Sequence, residues 1–227
     1  MKLSFELAPP TLPETVHVDF RQCIVAGWAG RDLAATEHHI EELALLGVAR
    51  PSSVPLFYRI ASNQLVQDAV IDVVGGDTSG EAEVFLFSHR GETLVSLSSD
   101  HTDRKLEAHS VALSKQICAK PVARQAWRHA EVADHWDALI LRSWIEEDGA
   151  SVLYQEGNLG TLLPPLELAQ RFFGSARIPE GSGMTCGTVA TIGTIRPAPG
   201  LKMELFDPKL GRSITHAYTL SVLPEVA

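Results

Sequence analysis

Residues 80–100 read GEAEVFLFSHRGETLVSLSSD, and this stretch decides the fold class. Its two halves, EAEVFLFSH and ETLVSLSSD, are strongly apolar runs of strand length. Arg90 and Gly91 join them, and a connection of two residues is typical of a tight hairpin. The stretch therefore predicts a β-hairpin whose open end brings Asp100 back beside Glu81.

Extended runs also dominate the rest of the chain, including GTVATIGTI at residues 187–195. The clearest predicted helix covers residues 32–46, where Asp32 is the expected N-cap and Gly47 the expected stop. A second helix is predicted over residues 106–120. Because strands outnumber helices and are not regularly interleaved with them, we expect an α+β fold that is mainly β, a roll or barrel.

Length and charge restrict the classes of protein and partner. The chain has 227 residues, with 19 Lys and Arg against 28 Asp and Glu, a formal net charge of −9. We expect a single domain over residues 1–227, with the strands of residues 1–22 as a small extension. The acidic balance argues against nucleic acid and anionic membranes, which need a dense cationic face. The lack of a signal-peptide or transmembrane pattern and the widely spaced cysteines predict a cytoplasmic protein.

Glu81 and Glu83 are the sharpest chemical feature of the sequence. On a strand, residues i and i+2 point to the same face, about 6.6 Å apart. Two like charges on an apolar strand are costly unless they are paired or bound to a metal, and Mg²⁺ prefers carboxylate oxygens. A solvated strand edge explains the spacing equally well. At the end of the return strand, either Asp100 or Asp103 could supply a third oxygen.

The HHIEE segment of the first predicted helix places histidine and glutamate three residues apart. In both His38 with Glu41 and His39 with Glu42, the carboxylate can orient the imidazole for acid–base chemistry. A solvent-exposed helix face would show the same pattern. The spacing leaves open which pair acts.

Taken in order, these segments resemble the fumarylacetoacetate hydrolase superfamily, and more closely a bacterial branch of it. GEAEVFLF resembles its E-x-E metal motif, and SSDHTDRK resembles the segment that carries the third metal carboxylate. CIVAGWAGRD and HHIEEL are similar to its glycine turn and lid helix, and SKQICAKP to its lysine segment. LYQEGNLG and CGTVATIGTI resemble its later Q-x-G-N-T and G-T-P-x-G segments. The likeness runs from about Cys23 to the carboxyl end.

The resemblance implies a mixed β-roll with a few flanking helices, a homodimer, and a bound Mg²⁺, Mn²⁺ or Ca²⁺. It implies three metal ligands, Glu81, Glu83 and Asp100. The catalytic residues that it implies are His39, Glu42 and Lys115. The substrate-binding residues that it implies are Arg104, Gln155 and Thr188. The choice of His39 with Glu42 over His38 with Glu41 is a preference.

The activity implied by the resemblance is that of a metal-dependent hydrolase or lyase. Such an enzyme acts on a small 2-oxo acid or β-dicarbonyl carboxylate, by C–C bond hydrolysis or decarboxylation through an enolate that the metal stabilises. The alternatives are a hydratase or isomerase at the same site, and a non-catalytic small-acid-binding protein of the same fold. Ser99 and Cys118 depart from the family pattern at substrate-facing positions, so the metal is better supported than the substrate.

Overall fold

The computed structural model describes residues 1–7, 14–45 and 47–226, with only the backbone of His39 and Leu43. The helices in this part of the chain are α1 Leu33–Leu45, α2 Arg104–Glu107, α3 Val111–Ile117, α4 His129–Val132 and α5 Pro165–Phe173. The strands are β1 Lys2–Leu7, β2 Glu14–Asp19, β3 Gln22–Gly27, β4 Leu56–Ile60, β5 Leu65–Val66, β6 Val70–Val74, β7 Thr78–Ser79, β8 Ala82–His89, β9 Glu92–Ser99, β10 Thr102–Asp103, β11 Lys120–Pro121, β12 Gln125–Arg128, β13 Ile140–Glu147, β14 Ala150–Asn158, β15 Ser182–Thr185, β16 Gly200–Asp207 and β17 Arg212–Leu223.

Two larger sheets organise these strands. The eight-stranded sheet has the order β2-β1-β12-β9-β8-β15-β3-β4, and the five-stranded sheet has the order β14-β13-β16-β17-β6. Parallel and antiparallel pairs occur in both, as for β15 with β3 and β15 with β8. The predicted α+β fold, mainly β, is confirmed. The division of the chain into domains stays a prediction.

Strand β8 lies between two hydrophobic clusters. Val84 and Leu86 pack into the larger cluster, whereas Phe85 and Phe87 pack into the smaller one. Successive side chains of a strand point to opposite faces, so a strand that is buried on both faces carries a nearly continuous run of apolar residues. This double burial explains the continuous apolar run in the sequence.

The predicted hairpin is confirmed as β8 and β9, which pair antiparallel from His89 with Glu92 to Ala82 with Ser99. Both turn residues have positive φ, 51° at Arg90 and 80° at Gly91. Such a two-residue turn matches the right-handed twist of the paired strands. The hairpin therefore has one closed end at the turn and one open end before Ala82.

The first predicted helix is confirmed as α1, and Asp32 caps it. Oδ1 of Asp32 accepts the backbone N–H groups of Ala34 at 2.9 Å and Ala35 at 3.1 Å. The predicted last residue, Leu46, lies outside the described residues.

The single helix predicted over residues 106–120 is wrong, because the chain forms α2, a break and then α3. The hydroxyl of Ser110 accepts the N–H of Leu113 at 3.3 Å and so starts the second helix afresh. The strand predicted over residues 187–195 is also wrong. Gly187 and Gly193 have φ of 85° and 83°, which ends the extended conformation, and the strand β15 precedes them.

Candidate metal centre

Three carboxylates meet at the open end of the β8–β9 hairpin. Each of Glu81, Glu83 and Asp100 offers one oxygen, and these oxygens all lie within 4.8 Å of one another. Glu83 and Asp100 are only 3% and 1% exposed, and Glu81 is half-buried. The carboxylates predicted from the E-x-E spacing and the return strand are thus brought together.

Backbone pairing beyond the ends of the strands produces this convergence. The N–H of Asp100 donates to the carbonyl of Glu81 at 2.9 Å, so the two residues lie directly across from each other. Glu81 and Glu83 are two positions apart, which gives them the same face. Just before them, a Cβ on Gly80 would lie 2.2 Å from the Tyr218 hydroxyl, so only glycine fits there.

Asp103, the other candidate for the third oxygen, has a different role. Its Oδ1 accepts the N–H of Leu106 at 2.8 Å and caps α2. The carboxylate is therefore used to begin a helix, and the group of three contains Asp100.

Glu83 is buried close to another carboxylate. Burial, and after it the charge of Asp100, raises the pKa of Glu83 to about 8. Its Oε2 accepts the backbone N–H of Gly187 at 2.9 Å. A buried carboxyl whose ionised form is disfavoured in this way is stabilised by a cation that shares its oxygens.

Two lysines flank Asp100. Lys115 Nζ donates to Asp100 Oδ2, while Lys120 Nζ donates to the carbonyl of His101 and lies 3.2 Å from Asp100 Oδ1. Burial would raise the pKa of Asp100, but Lys115 and Lys120 outweigh it and hold that pKa well below its usual range. Burial lowers the pKa of Lys120 itself.

The residues present fit a divalent cation. Among the described side chains, Asp100 Oδ1 is a buried carboxylate oxygen that accepts no hydrogen bond, because Lys120 approaches it without hydrogen-bond geometry. Three carboxylates are the hard oxygen donors that Mg²⁺ and Ca²⁺ prefer. Asp100 Oδ1, which accepts no hydrogen bond, and the buried Glu83 could both bind such an ion, and Lys120 lies 3.2 Å from that Asp100 oxygen.

Arg104 contacts Glu81. Its Nη2 lies 3.4 Å from Glu81 Oε2, its Nη1 donates to Glu107 at 2.9 Å, and its Nε donates to Ser79 at 2.7 Å. The guanidinium is therefore placed to orient Glu81. Its predicted contact with substrate stays a prediction.

Gln155 is fully buried in β14, and its amide is saturated by the protein. Its Oε1 accepts from the N–H of Ala82 at 3.0 Å and from Ser143 at 2.7 Å. Its Nε2 donates to Thr188 at 2.7 Å and to the carbonyl of Val189 at 2.8 Å. An amide has two donors and two acceptor sites, so Gln155 has none left for a substrate and instead positions Thr188 and the start of β8.

Residues 26–218 match the family described as "Protein of unknown function (DUF2848)". The chain belongs to this family. No curated protein sequence matches it.

Solved structures show the fold of this DUF2848 protein. The apo form of 2-keto-3-deoxy-D-arabinonate dehydratase is 16% identical with a TM-score of 0.65, over 94% of this chain and 78% of that chain. Its complex with magnesium and 2,5-dioxopentanoate is 15% identical with a TM-score of 0.65, over 91% and 75%. The 4-oxalocrotonate decarboxylase from Pseudomonas putida G7, complexed with calcium and acetate, is 18% identical with a TM-score of 0.54, over 88% and 76%. The chain shares its fold with these proteins, and the fold predicted from the resemblance is confirmed.

The histidine–glutamate contact described on α1 is neither of the two predicted pairs. Nε2 of His38 lies 3.4 Å from Oε1 of Glu42, one helical turn away, with the two side chains 73% and 58% exposed. The preferred pair also needs the side chain of His39, which lies outside the described part of the chain. Both predicted pairings stay predictions.

Sequence reasoning missed Lys120, and it placed His101 in the SSDHTDRK cluster without giving it a role. The His101 imidazole is buried, with Nδ1 2.9 Å from the Tyr218 hydroxyl and Nε2 2.9 Å from Thr78 Oγ1. Burial, then Lys120 and Arg104, lowers the pKa of His101 to about 3, so the ring is neutral. A signal for Lys120 was present in SKQICAKP, which contains a second lysine directly before a proline.

Proposed function

We propose that this DUF2848 protein is a divalent-metal-dependent enzyme that acts on a small 2-oxo acid or β-dicarbonyl carboxylate. The observation that carries the proposal is the convergence of Glu81, Glu83 and Asp100 within 4.8 Å at a buried hairpin end. A dehydratase and a decarboxylase of the same fold, with magnesium and calcium in their structures, support it. When bound, Mg²⁺, Mn²⁺ or Ca²⁺ supplies a Lewis acid that polarises a carbonyl and offsets negative charge on its oxygen.

Lys115 is the side chain we assign to binding an anionic oxygen of the substrate. Its Nζ donates to Asp100 and lies 5.6 Å from the centre of the Tyr58 ring, and Tyr58 is half-buried. The ammonium therefore lies between the buried carboxylates and the partly exposed tyrosine. It can donate to a carboxylate or carbonyl oxygen there while it keeps Asp100 in place.

Helix α1 supplies the acid–base pair in this proposal, with His39 and Glu42 as the preferred residues. The preceding turn is held to the body of the protein, since Arg31 donates to both oxygens of Asp137 at 2.8 and 2.9 Å. A histidine on this helix would remove a proton from water for hydrolysis. For decarboxylation it would instead give a proton to the enolate carbon that remains after CO₂ has left. The Arg31–Asp137 ion pair therefore holds the amino end of α1, the helix that carries the acid–base pair.

Hydrolysis of a C–C bond or decarboxylation is the first candidate reaction. Loss of water is the second, because one of the structural neighbours is a dehydratase of a 2-keto-3-deoxy acid. All three reactions first require that the site stabilises the negative charge that develops next to a carbonyl group. They differ in the bond that breaks next.

The test combines metal binding with a panel of substrates. Calorimetry with Mn²⁺ and Mg²⁺ should show one ion per chain, which Glu83→Gln abolishes and Glu146→Gln, at an exposed position of β13, leaves intact. The loaded protein is then incubated with acylpyruvates, oxaloacetate and 2-keto-3-deoxy sugar acids. Release of pyruvate and a carboxylate identifies a hydrolase, release of CO₂ a decarboxylase, and loss of water a dehydratase.

Two results would count against this function. Absence of metal binding at millimolar Mn²⁺ would overturn the metal centre. Stoichiometric metal with tight oxalate binding but no turnover of any class would favour the non-catalytic acid-binding protein. The homodimer and the cytoplasmic location stay predictions; no helix in the described residues is long and apolar enough to cross a membrane.

A further inference from the structure

Lys120 is a fully buried cation beside the metal centre, and the proposed function gives this lysine no role. It is 0% exposed, and its ammonium donates to the carbonyl of His101. The same nitrogen lies 3.2 Å from Oδ1 of Asp100, the oxygen that accepts no hydrogen bond. Lys115 holds the other oxygen of that carboxylate. Asp100 thus has an ammonium group next to each of its oxygens.

Cationic side chains already surround the carboxylates of the centre. Arg104 contacts Glu81, and both Lys115 and Lys120 contact Asp100. A divalent ion held by Asp100 Oδ1 would lie close to the Lys120 ammonium group and would be repelled by it. Such repulsion is strong in a buried site, because little water screens it.

We propose that Lys120 is a built-in counter-charge, a positioning residue that stabilises the metal-free centre and weakens its affinity for divalent ions. The inference rests on the metal site of the proposed function. Lys115 serves the substrate in that function, whereas Lys120 has no exposed surface and acts through Asp100. Its removal should therefore tighten metal binding and destabilise the metal-free protein.

Two variants of Lys120 separate its charge from its hydrogen bond. Lys120→Gln removes the charge and keeps an N–H donor for the His101 carbonyl, whereas Lys120→Met removes both. Lys105→Gln is the matched control, since Lys105 pairs with Glu225 on the surface with both side chains 65% exposed. Mn²⁺ affinity is measured by calorimetry, with the electron paramagnetic resonance spectrum of bound Mn²⁺ as a second readout.

We expect both Lys120 variants to bind Mn²⁺ about tenfold tighter or more, and their metal-free melting temperatures to fall. Lys105→Gln should match the wild type in both measurements. Should Lys120→Met fail to fold, Lys120→Gln alone decides.

Unchanged or weaker Mn²⁺ binding by Lys120→Gln would overturn the counter-charge. One such result is that Lys120→Gln binds Mn²⁺ as tightly as the wild type does, while Lys120→Met binds Mn²⁺ more weakly. It would show that Lys120 acts only as a hydrogen-bond donor to the His101 carbonyl. If neither the wild type nor Lys120→Gln binds Mn²⁺, the metal centre of the proposed function fails, and the counter-charge fails with it.

Discussion

Nε2 of Gln155 donates to Oγ1 of Thr188 at 2.7 Å, and this bond joins the five-stranded sheet to the segment that follows β15. Thr188 passes the connection on, because its hydroxyl donates to the carbonyl of Ala82 at 2.7 Å. Ala82 lies between Glu81 and Glu83. The amide in one sheet therefore fixes the backbone that carries two carboxylates of the metal centre in the other.

Gln155→Leu should lower the free energy of unfolding by about 3 kcal/mol or more, because several buried polar groups lose their partner at once. Denaturant unfolding of the metal-free protein measures the loss. Gln170→Leu, an exposed position on α5, is the control and should change stability by less than about 0.5 kcal/mol. A loss of under about 1 kcal/mol for Gln155→Leu would show that water replaces the amide.

Glu83→Gln should bind Mn²⁺ at least about 100-fold more weakly. Removing a residue that supports a metal ligand weakens metal binding by about 10- to 100-fold, and removing a ligand itself should weaken it more. The metal-free variant should melt at a higher temperature than the wild type, because a neutral amide of the same shape replaces a buried carboxyl next to Asp100. Elemental analysis and thermal unfolding provide the two readouts. Stoichiometric metal in the purified variant would remove Glu83 from the centre.

Gly187→Ala should destabilise the protein by about 2 to 4 kcal/mol through strain and overpacking. Gly187 has φ of 85°, and a Cβ there would lie 2.8 Å from the Cβ of Ala29. Gly149→Ala is the matched control, because Gly149 has φ of 75° and open space around it. Chemical denaturation gives the free energy of unfolding of each variant. The difference between the two losses is the part that comes from the steric contact with Ala29. Equal losses would mean that the Ala29 segment moves aside.

Asp207 should contribute acid-sensitive stability. Burial would raise its pKa, but hydrogen bonds from Leu210 and His135 outweigh burial and lower it. Because the folded pKa lies below the unfolded value of about 3.9, the contribution is complete above that pH and is lost as the pH falls through the folded pKa.

Asp207→Asn should therefore cost about 2 kcal/mol or more at pH 7, and its stability should depend less on pH between about 5 and 2. Denaturant unfolding across that range, for the wild type and the variant, gives the comparison. Asp134→Asn, at an exposed position, is the control and should follow the wild-type curve. Parallel curves for Asp207→Asn and the wild type would contradict this assignment.

The hairpin and its carboxylates could be predicted because their geometry is local. A two-residue turn fixes the register of β8 and β9, and the two-residue repeat of a strand puts Glu81 and Glu83 on one face. The choice between Asp100 and Asp103 could not be made from spacing. It depends on whether the chain begins a helix after the strand, and Asp103 is used to cap that helix.

The contacts that Lys120 and Gln155 make around the metal centre could not be predicted, because distant parts of the chain place these side chains. Lys120 follows the break after α3, and its position depends on the pairing of β11 with β5, in which Lys120 lies opposite Leu65. The partners of Gln155 are Ala82, 73 residues earlier, and the segment after β15. No periodicity in the sequence reports contacts of that kind.

The hairpin that carries the metal centre also bears on how the chain folds. Glu81 and Asp100 lie at the open end of a single hairpin with a two-residue turn, so they are near in sequence and little chain entropy is lost when they meet. The wide sheets around them need pairings between distant strands, such as β1 with β12 and β15 with β3, which form slowly. The hairpin can therefore bring Glu81, Glu83 and Asp100 together before the two larger sheets have formed. Divalent ions in a refolding buffer would then favour the correct register of β8 and β9 at an early stage.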